Sequence, residues 1–332
     1  MQVASHREIG SEYWDIPRGN DDIFPENTAW FLSGRSALSF VIQDIKKKYD
    51  VKTAALPVWC CDSMIIPFVN EGIEVLFYDK ESPKCDVLLT MEYFGYIRNK
   101  PIDFDGVIIY DVTHSLFSPN MGIRRGESKD EYFFGSLRKW TGAKTGGFAG
   151  KFDSDFSIEL PEKTDEAYIA LRTTAMKEKA EYINGKSDDK GYLNFFADAE
   201  EMLENGGVYA AYSDDVVAAR NLDADFIRTR RRENAEVLLN TVSDIALFKE
   251  IQADDVPLFV PIVLPKCERD ALKKHLIENK VFCPVHWPYS KWHGEKSDIY
   301  DTELSLVCDQ RYTKEDMEYI CSIIKEFRRC DK

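Results

Sequence analysis

Short apolar runs at residues 53–56, 75–78, 87–89, 107–110 and 132–134 are spaced along the first half of the chain, with helical periodicity between the early ones. Runs of this length are strand-sized, and their continuous hydrophobicity marks strands buried on both faces. Strands of that kind alternating with helices restrict the architecture to an α/β fold with a mostly parallel central sheet. The helices are legible locally. Leu38, Val41, Ile42 and Ile45 follow an i, i+3, i+4, i+7 pattern after Ser33-Gly34-Arg35-Ser36, which supplies a cap and a first turn. Asp62-Ser63 likewise precedes a helix over 64–70.

From residue 164 to about 240 the pattern is helical, interrupted by the polar stretches 184–191 and 205–207, which read as loops. A strand at 258–264, a helix at 268–279 and strands at 281–285 and 304–307 follow. Thr313 with Asp316 caps a last helix whose Met317, Ile320, Ile324 and Phe327 share one face. This order predicts a large α/β domain over residues 1–230 and a smaller C-terminal α/β domain over 231–332, and 332 residues suffice for two cores. The 58 acidic against 43 basic side chains, a formal charge of −15, argue against nucleic acid or an anionic membrane as principal partner. No apolar stretch approaches the ~20 residues of a spanning helix, and the start, Met1-Gln2-Val3-Ala4-Ser5-His6-Arg7-Glu8, lacks the layout of a secretory signal. A cytoplasmic protein is therefore expected. The 8 cysteines are scattered, with the adjacent pair Cys60-Cys61, and form neither a disulfide framework nor spaced zinc pairs. They are expected to be reduced, with no metal site.

Four local features carry chemistry. Gly34-Arg35-Ser36-Ala37 opens a helix, where free amides and the positive end of the dipole suit a phosphate. Asp111 follows the buried run 107–110, at the end of a strand where α/β sheets place their ligands, and His114 lies three residues on. Ser136 and Lys139 follow the run 132–134, and a lysine there is expected to be partly desolvated, with its amine available as a nucleophile. Gly146-Gly147 opens another apolar run, either to let backbone approach a cofactor or to make a hairpin turn.

In this order the features resemble the DegT/DnrJ/EryC1/StrS aminotransferases among the fold-type-I pyridoxal-phosphate enzymes. Further pieces of the resemblance are Gly10-Ser11-Glu12, the stretch from Phe31 to Leu38, Leu56-Pro57-Val58-Trp59-Cys60-Cys61 and Tyr93-Phe94-Gly95, then the arginine-rich stretch 227–234, Val285-His286-Trp287-Pro288 and Cys308-Asp309-Gln310-Arg311-Tyr312-Thr313. The resemblance implies that Lys139 joins the cofactor covalently and then moves the substrate proton, and that Asp111 keeps the pyridine nitrogen protonated. His114 would lie beside the ring, at its phenolic oxygen or face. The Arg35 and Ser36 amides, beside Gly34, and the Ser136 hydroxyl would hold the phosphate, and His286 would contact substrate. It further implies an amino-acid donor, glutamate or glutamine, a keto-sugar acceptor linked to a nucleotide, a place in polysaccharide or secondary-metabolite synthesis, and a homodimer.

Three positions depart from the family's pattern. The Ser-x-x-Lys spacing of Ser136 and Lys139 is that of other fold-type-I aminotransferases. The aromatic expected against the cofactor face after Pro57 falls on Trp59 or Cys61, and both remain candidates. The segment 208–213 lacks the Asn and Arg that reach the neighbouring subunit in many relatives. Two other readings share the fold: different chemistry on the same cofactor, as in a lyase or a cysteine desulfurase, and a binding protein that has lost turnover. Lys139 itself argues against the sugar-dehydratase branch, where relatives carry histidine.

Overall fold

The computed structural model describes residues 8–204, 207–289, 291–292 and 298–330. The expected loop at 205–207 and the chain start lie partly outside the described residues. Strands β1 (Ile9–Gly10), β2 (Arg18–Asp21) and β3 (Ala29–Phe31) lead into helix α1 (Gly34–Lys48). β4 (Thr53–Pro57), α2 (Asp62–Asn70), β5 (Glu74–Tyr78), β6 (Val87–Met91), β7 (Ile102–Asp111), β8 (Arg125–Ser136) and β9 (Gly147–Lys151) follow. Helices α3 (Glu166–Ile183), α4 (Tyr192–Glu204), α5 (Ser213–Ala219) and α6 (Ala224–Val242) come next. The chain ends with β10 (Phe259–Val263), α7 (Lys266–Glu278), β11 (Val281–Phe282), α8 (Asp298–Thr302), β12 (Glu303–Val307) and α9 (Lys314–Cys330).

The main sheet has the order β3-β9-β8-β7-β6-β4-β5. β4 to β8 pair in parallel, and β9 runs antiparallel between β8 and β3. All five apolar runs are strands of this sheet, but β7 and β8 extend well before their apolar halves. The extensions alternate exposed and half-buried residues, and the two strands pair with each other there, so hydrophobicity alone does not reveal them. Ser33 accepts from the Ser36 amide (3.2 Å) at the start of α1, Lys46, Lys47 and Lys48 sit at its negative end, and its Leu38, Val41, Ile42 and Ile45 face are buried against the sheet.

A second core gathers α6, α7, α9 and strands β10 to β12. Ile9 of the N-terminal segment joins it, because β1 pairs in parallel with β11. Helix α6 crosses the position expected as a domain boundary. Its Ala224 and Ile227 pack against the sheet core, and its Ala235, Leu238, Leu239 and Val242 against the second core. The segment after α4 runs along β3, where the Leu32 amide donates to the Tyr209 carbonyl (3.0 Å) and Phe31 bridges Ala210.

A tight turn at residues 93–96 bears on the site. Phe94 and Gly95 both have positive φ, 57° and 84°. Leu258 donates to the Phe94 carbonyl (2.7 Å) and Val256 to that of Gly95 (3.0 Å), so the approach to the second core is pinned to this turn. A Cβ on Gly95 would lie 1.9 Å from the Val256 carbonyl oxygen. Gly95→Ala is expected to destabilise the protein by more than about 2 kcal/mol, through the left-handed backbone and the collision together. A urea midpoint equal to that of the unmodified protein would contradict this.

Candidate active site

The C-terminal ends of the parallel strands converge on the predicted residues. Asp111 is the last residue of β7 and is 5% exposed. It accepts a hydrogen bond from the Thr113 amide (2.8 Å), and it forms no ion pair among the described residues. Burial pushes its carboxyl up to about 6, against the bonds from Thr113 and the charge of Lys139. An acid there carries a desolvation penalty that a cationic ring nitrogen would relieve.

His114 is buried three residues later, and its Nδ1 accepts from the Phe94 amide (3.1 Å). That bond puts the imidazole proton on Nε2. Burial holds the ring well below the usual histidine range, and the charges of His286 and Lys139 act in the same direction, so His114 is a neutral donor.

Lys139 closes a 3₁₀ turn at Leu137–Lys139 directly after β8. The expectation of a partly desolvated amine is corrected here, because the Lys139 side chain is exposed. The turn carries it out of the sheet before the buried Trp140, so its charge reaches Asp111 and His114 from the open side. Lys179 of α3 has its amine lowered to about 8 by burial, but it is enclosed 3.3 Å from Glu8 and close to the Trp14 and Tyr192 rings, not at the end of β7 or β8. Glu200 of α4, which sequence reading missed, pairs with Arg138 next to the lysine. Burial raises its carboxyl, and Arg138, Lys139 and Arg172 together bring it below the usual range.

The start of α1 lies across from Ser136. A Cβ on Gly34 would stand 3.3 Å from the Ser136 Cβ, so glycine sets the width of this gap. Gly147 packs its backbone on the helix cap, where a Cβ would meet the Ser33 carbonyl oxygen at 2.0 Å. Its missing side chain therefore serves the approach to Ser33, and β8 and β9 meet through it in antiparallel register. One assigned role changes. The Ser36 amide is taken by Ser33 and the Ser36 hydroxyl donates to the Gly207 carbonyl (3.1 Å), so the Gly34 and Arg35 amides are the first-turn donors without a partner among the described residues. The Arg35 guanidinium turns away to the Leu203 carbonyl (2.5 Å) at the end of α4 and contributes no charge to the cradle.

An aromatic wall stands on the remaining side. Trp59, after β4, stacks on Trp287 (5.9 Å, 19°), and Tyr93 meets both edge-on at 5.3 and 5.2 Å. Trp287 and His286 come from the segment after β11, and their rings lie 5.9 and 6.0 Å from that of His114. The structure thus brings His286 to Asp111, His114 and Lys139 from the other end of the sequence. Cys61 lies half-buried at the N-cap of α2, its sulfur 2.8 Å from the Ser63 hydroxyl. Cys60 packs in the sheet core, where burial pushes its thiol up. That is the opposite of what a desulfurase nucleophile needs.

The donor set suits pyridoxal phosphate: a buried carboxylate with no cationic partner among the described residues, an open amine, a neutral imidazole donor, and helix-start amides beside a serine. No family model matches the chain, and no curated protein matches it. Solved structures do share its fold. One is an aminotransferase, TlmJ, from Streptoalloteichus hindustanus, with 14% identity and a TM-score of 0.60 over 92% of this chain and 86% of that one. A sugar aminotransferase from Micromonospora echinospora has 13% identity and a TM-score of 0.57 over 90% and 87%. A DegT DnrJ EryC1 StrS aminotransferase from Brucella abortus has 12% identity and a TM-score of 0.57 over 90% and 85%. At these identities the likeness shows the fold, which is the fold-type-I architecture that the motifs implied.

Proposed function

We propose that this chain is a pyridoxal-phosphate-dependent aminotransferase that moves an amino group from glutamate or glutamine to a keto sugar linked to a nucleotide. The observation that carries the reading is the convergence of a buried Asp111, without an ion pair among the described residues, with the open amine of Lys139 at the strand ends. When bound, the cofactor supplies a protonated ring that draws electrons from the carbon bearing the amine. Asp111 would hold the proton on the ring nitrogen. His114 would donate from Nε2 to the phenolic oxygen, and Trp59 or Cys61 would lie against the ring. The amides of Gly34 and Arg35 with the Ser136 hydroxyl would bind the phosphate. Lys139 would anchor the cofactor and, once released by the donor, carry a proton on Nζ. His286 would contact substrate.

The sugar acceptor is supported by the sequence resemblance and by the sugar aminotransferase among the structures of this fold. A homodimer, a cytoplasmic location, a role in polysaccharide or secondary-metabolite synthesis, and a division of the chain near residue 230 belong to the same reading. The donor half-reaction tests it. Adding L-glutamate to cofactor-loaded protein is expected to convert the visible absorbance band to that of the amine form, with one 2-oxoglutarate released per site. No conversion with glutamate, glutamine or other amino acids would overturn amine transfer and favour a binding protein.

A further inference from the structure

Glu303 and Ser305 sit on one face of β12, both fully buried, beneath His286. Glu303 Oε2 accepts the backbone N–H of His286 (2.7 Å), and its Oε1 accepts from the Ser305 hydroxyl. Ser305 Oγ also lies 3.0 Å from His286 Nδ1. A serine has one proton to give, and a carboxylate has none. With the Ser305 proton on Glu303, the contact to the ring runs from Nδ1–H to Oγ, and Nε2 is left bare. We infer that Glu303 and Ser305 act as positioning residues that fix His286 as the hydrogen-bond acceptor and base of the cleft, presenting Nε2 to a hydroxyl of the sugar substrate.

Three observations support this. Nε2 has no partner among the described residues, and the side chain is 21% exposed whereas Glu303 and Ser305 beneath it are fully buried. Among the described residues, the rings around His286 are Phe94, Phe259, Trp287 and His114, and the titratable groups facing it are Glu303, with Oε2 3.7 Å from Nδ1, and His114. A positive charge arising on His286 when it takes a proton is therefore compensated by the buried carboxylate. His114 is fixed in the opposite tautomer by the Phe94 amide, so the two imidazoles offer one donor and one acceptor on the same cleft. That pairing leaves His114 to the cofactor and His286 to a group that donates, which a polyhydroxy ketone carries.

The hydroxyl assignment rests on the sugar-aminotransferase reading, whereas the tautomer does not. Long-range proton–nitrogen NMR of ligand-free protein labelled with ¹⁵N-histidine, assigned through His286→Gln, is expected to show His286 protonated on Nδ1 and His114 on Nε2. In Glu303→Gln the Ser305 proton is released to the ring, and the His286 signal is expected to move toward the Nε2–H form. An Nε2–H form of His286 in the unmodified protein, or no response in Glu303→Gln, would overturn the relay while leaving amine transfer intact. The binding probe is UDP-glucose, whose Kd for the cofactor-loaded protein is expected to rise about tenfold in Ser305→Ala. An unchanged Kd, or no binding to the unmodified protein, would overturn the hydroxyl assignment. Loss of the glutamate half-reaction instead would remove the enzyme reading and leave the tautomer result standing.

Discussion

Replacing Lys139 by alanine is expected to lower amine transfer from glutamate by at least about 10⁴-fold and to abolish the visible absorbance of the bound cofactor. Its amine is the open one beside Asp111 and His114, so no neighbouring group substitutes as both anchor and proton carrier. Stability should hardly change, within about 0.5 kcal/mol, because the side chain is exposed and follows a turn whose backbone bonds alanine retains. Thermal unfolding of the variant and a stopped-flow assay with L-glutamate check both halves. A variant that retains more than a few per cent of the rate would place the chemistry on another residue.

Asp111→Asn is expected to separate stability from function. The folded carboxyl is raised to about 6 from an ordinary 3.8, mainly by burial, so the folded state holds the proton more tightly than the unfolded chain. The sign follows: this group costs nothing below pH 4, and stability is lost as the pH rises through 6. Asparagine keeps the acceptor for the Thr113 amide without the charge. The ligand-free variant should therefore be more stable than the unmodified protein by an order of 2–3 kcal/mol at pH 7.5, and equal to it near pH 4. Amine transfer should fall by about 10²–10³-fold, since the ring nitrogen loses the partner that keeps it protonated. Urea unfolding at the two pH values reads the first effect. A variant less stable at pH 7.5 would mean that Asp111 is already paired in the ligand-free protein.

The strand ends were legible in the sequence because Asp111 and Lys139 each follow a continuous apolar run, and such runs mark the buried halves of parallel strands. The charged halves of β7 and β8 were not legible, since their alternation acquires meaning only when the two strands pair. The exposure of Lys139 was hidden for a related reason: whether a residue after a strand stays in the interior depends on the turn it enters. Ser33 and Gly147 reveal their roles only once the helix cap and β9 touch, more than a hundred residues apart in the chain. The relay under His286 and the approach of Glu200 are likewise products of tertiary packing, with no local spacing to announce them. The family resemblance reached His286 without them.

The central claim, that this cleft holds pyridoxal phosphate on Lys139, has a direct measurement. Cofactor-loaded protein is reduced with borohydride, digested, and its peptides are weighed. One phosphopyridoxyl addition is expected, on the peptide carrying Lys139. No addition, or one on another lysine in its place, would contradict this.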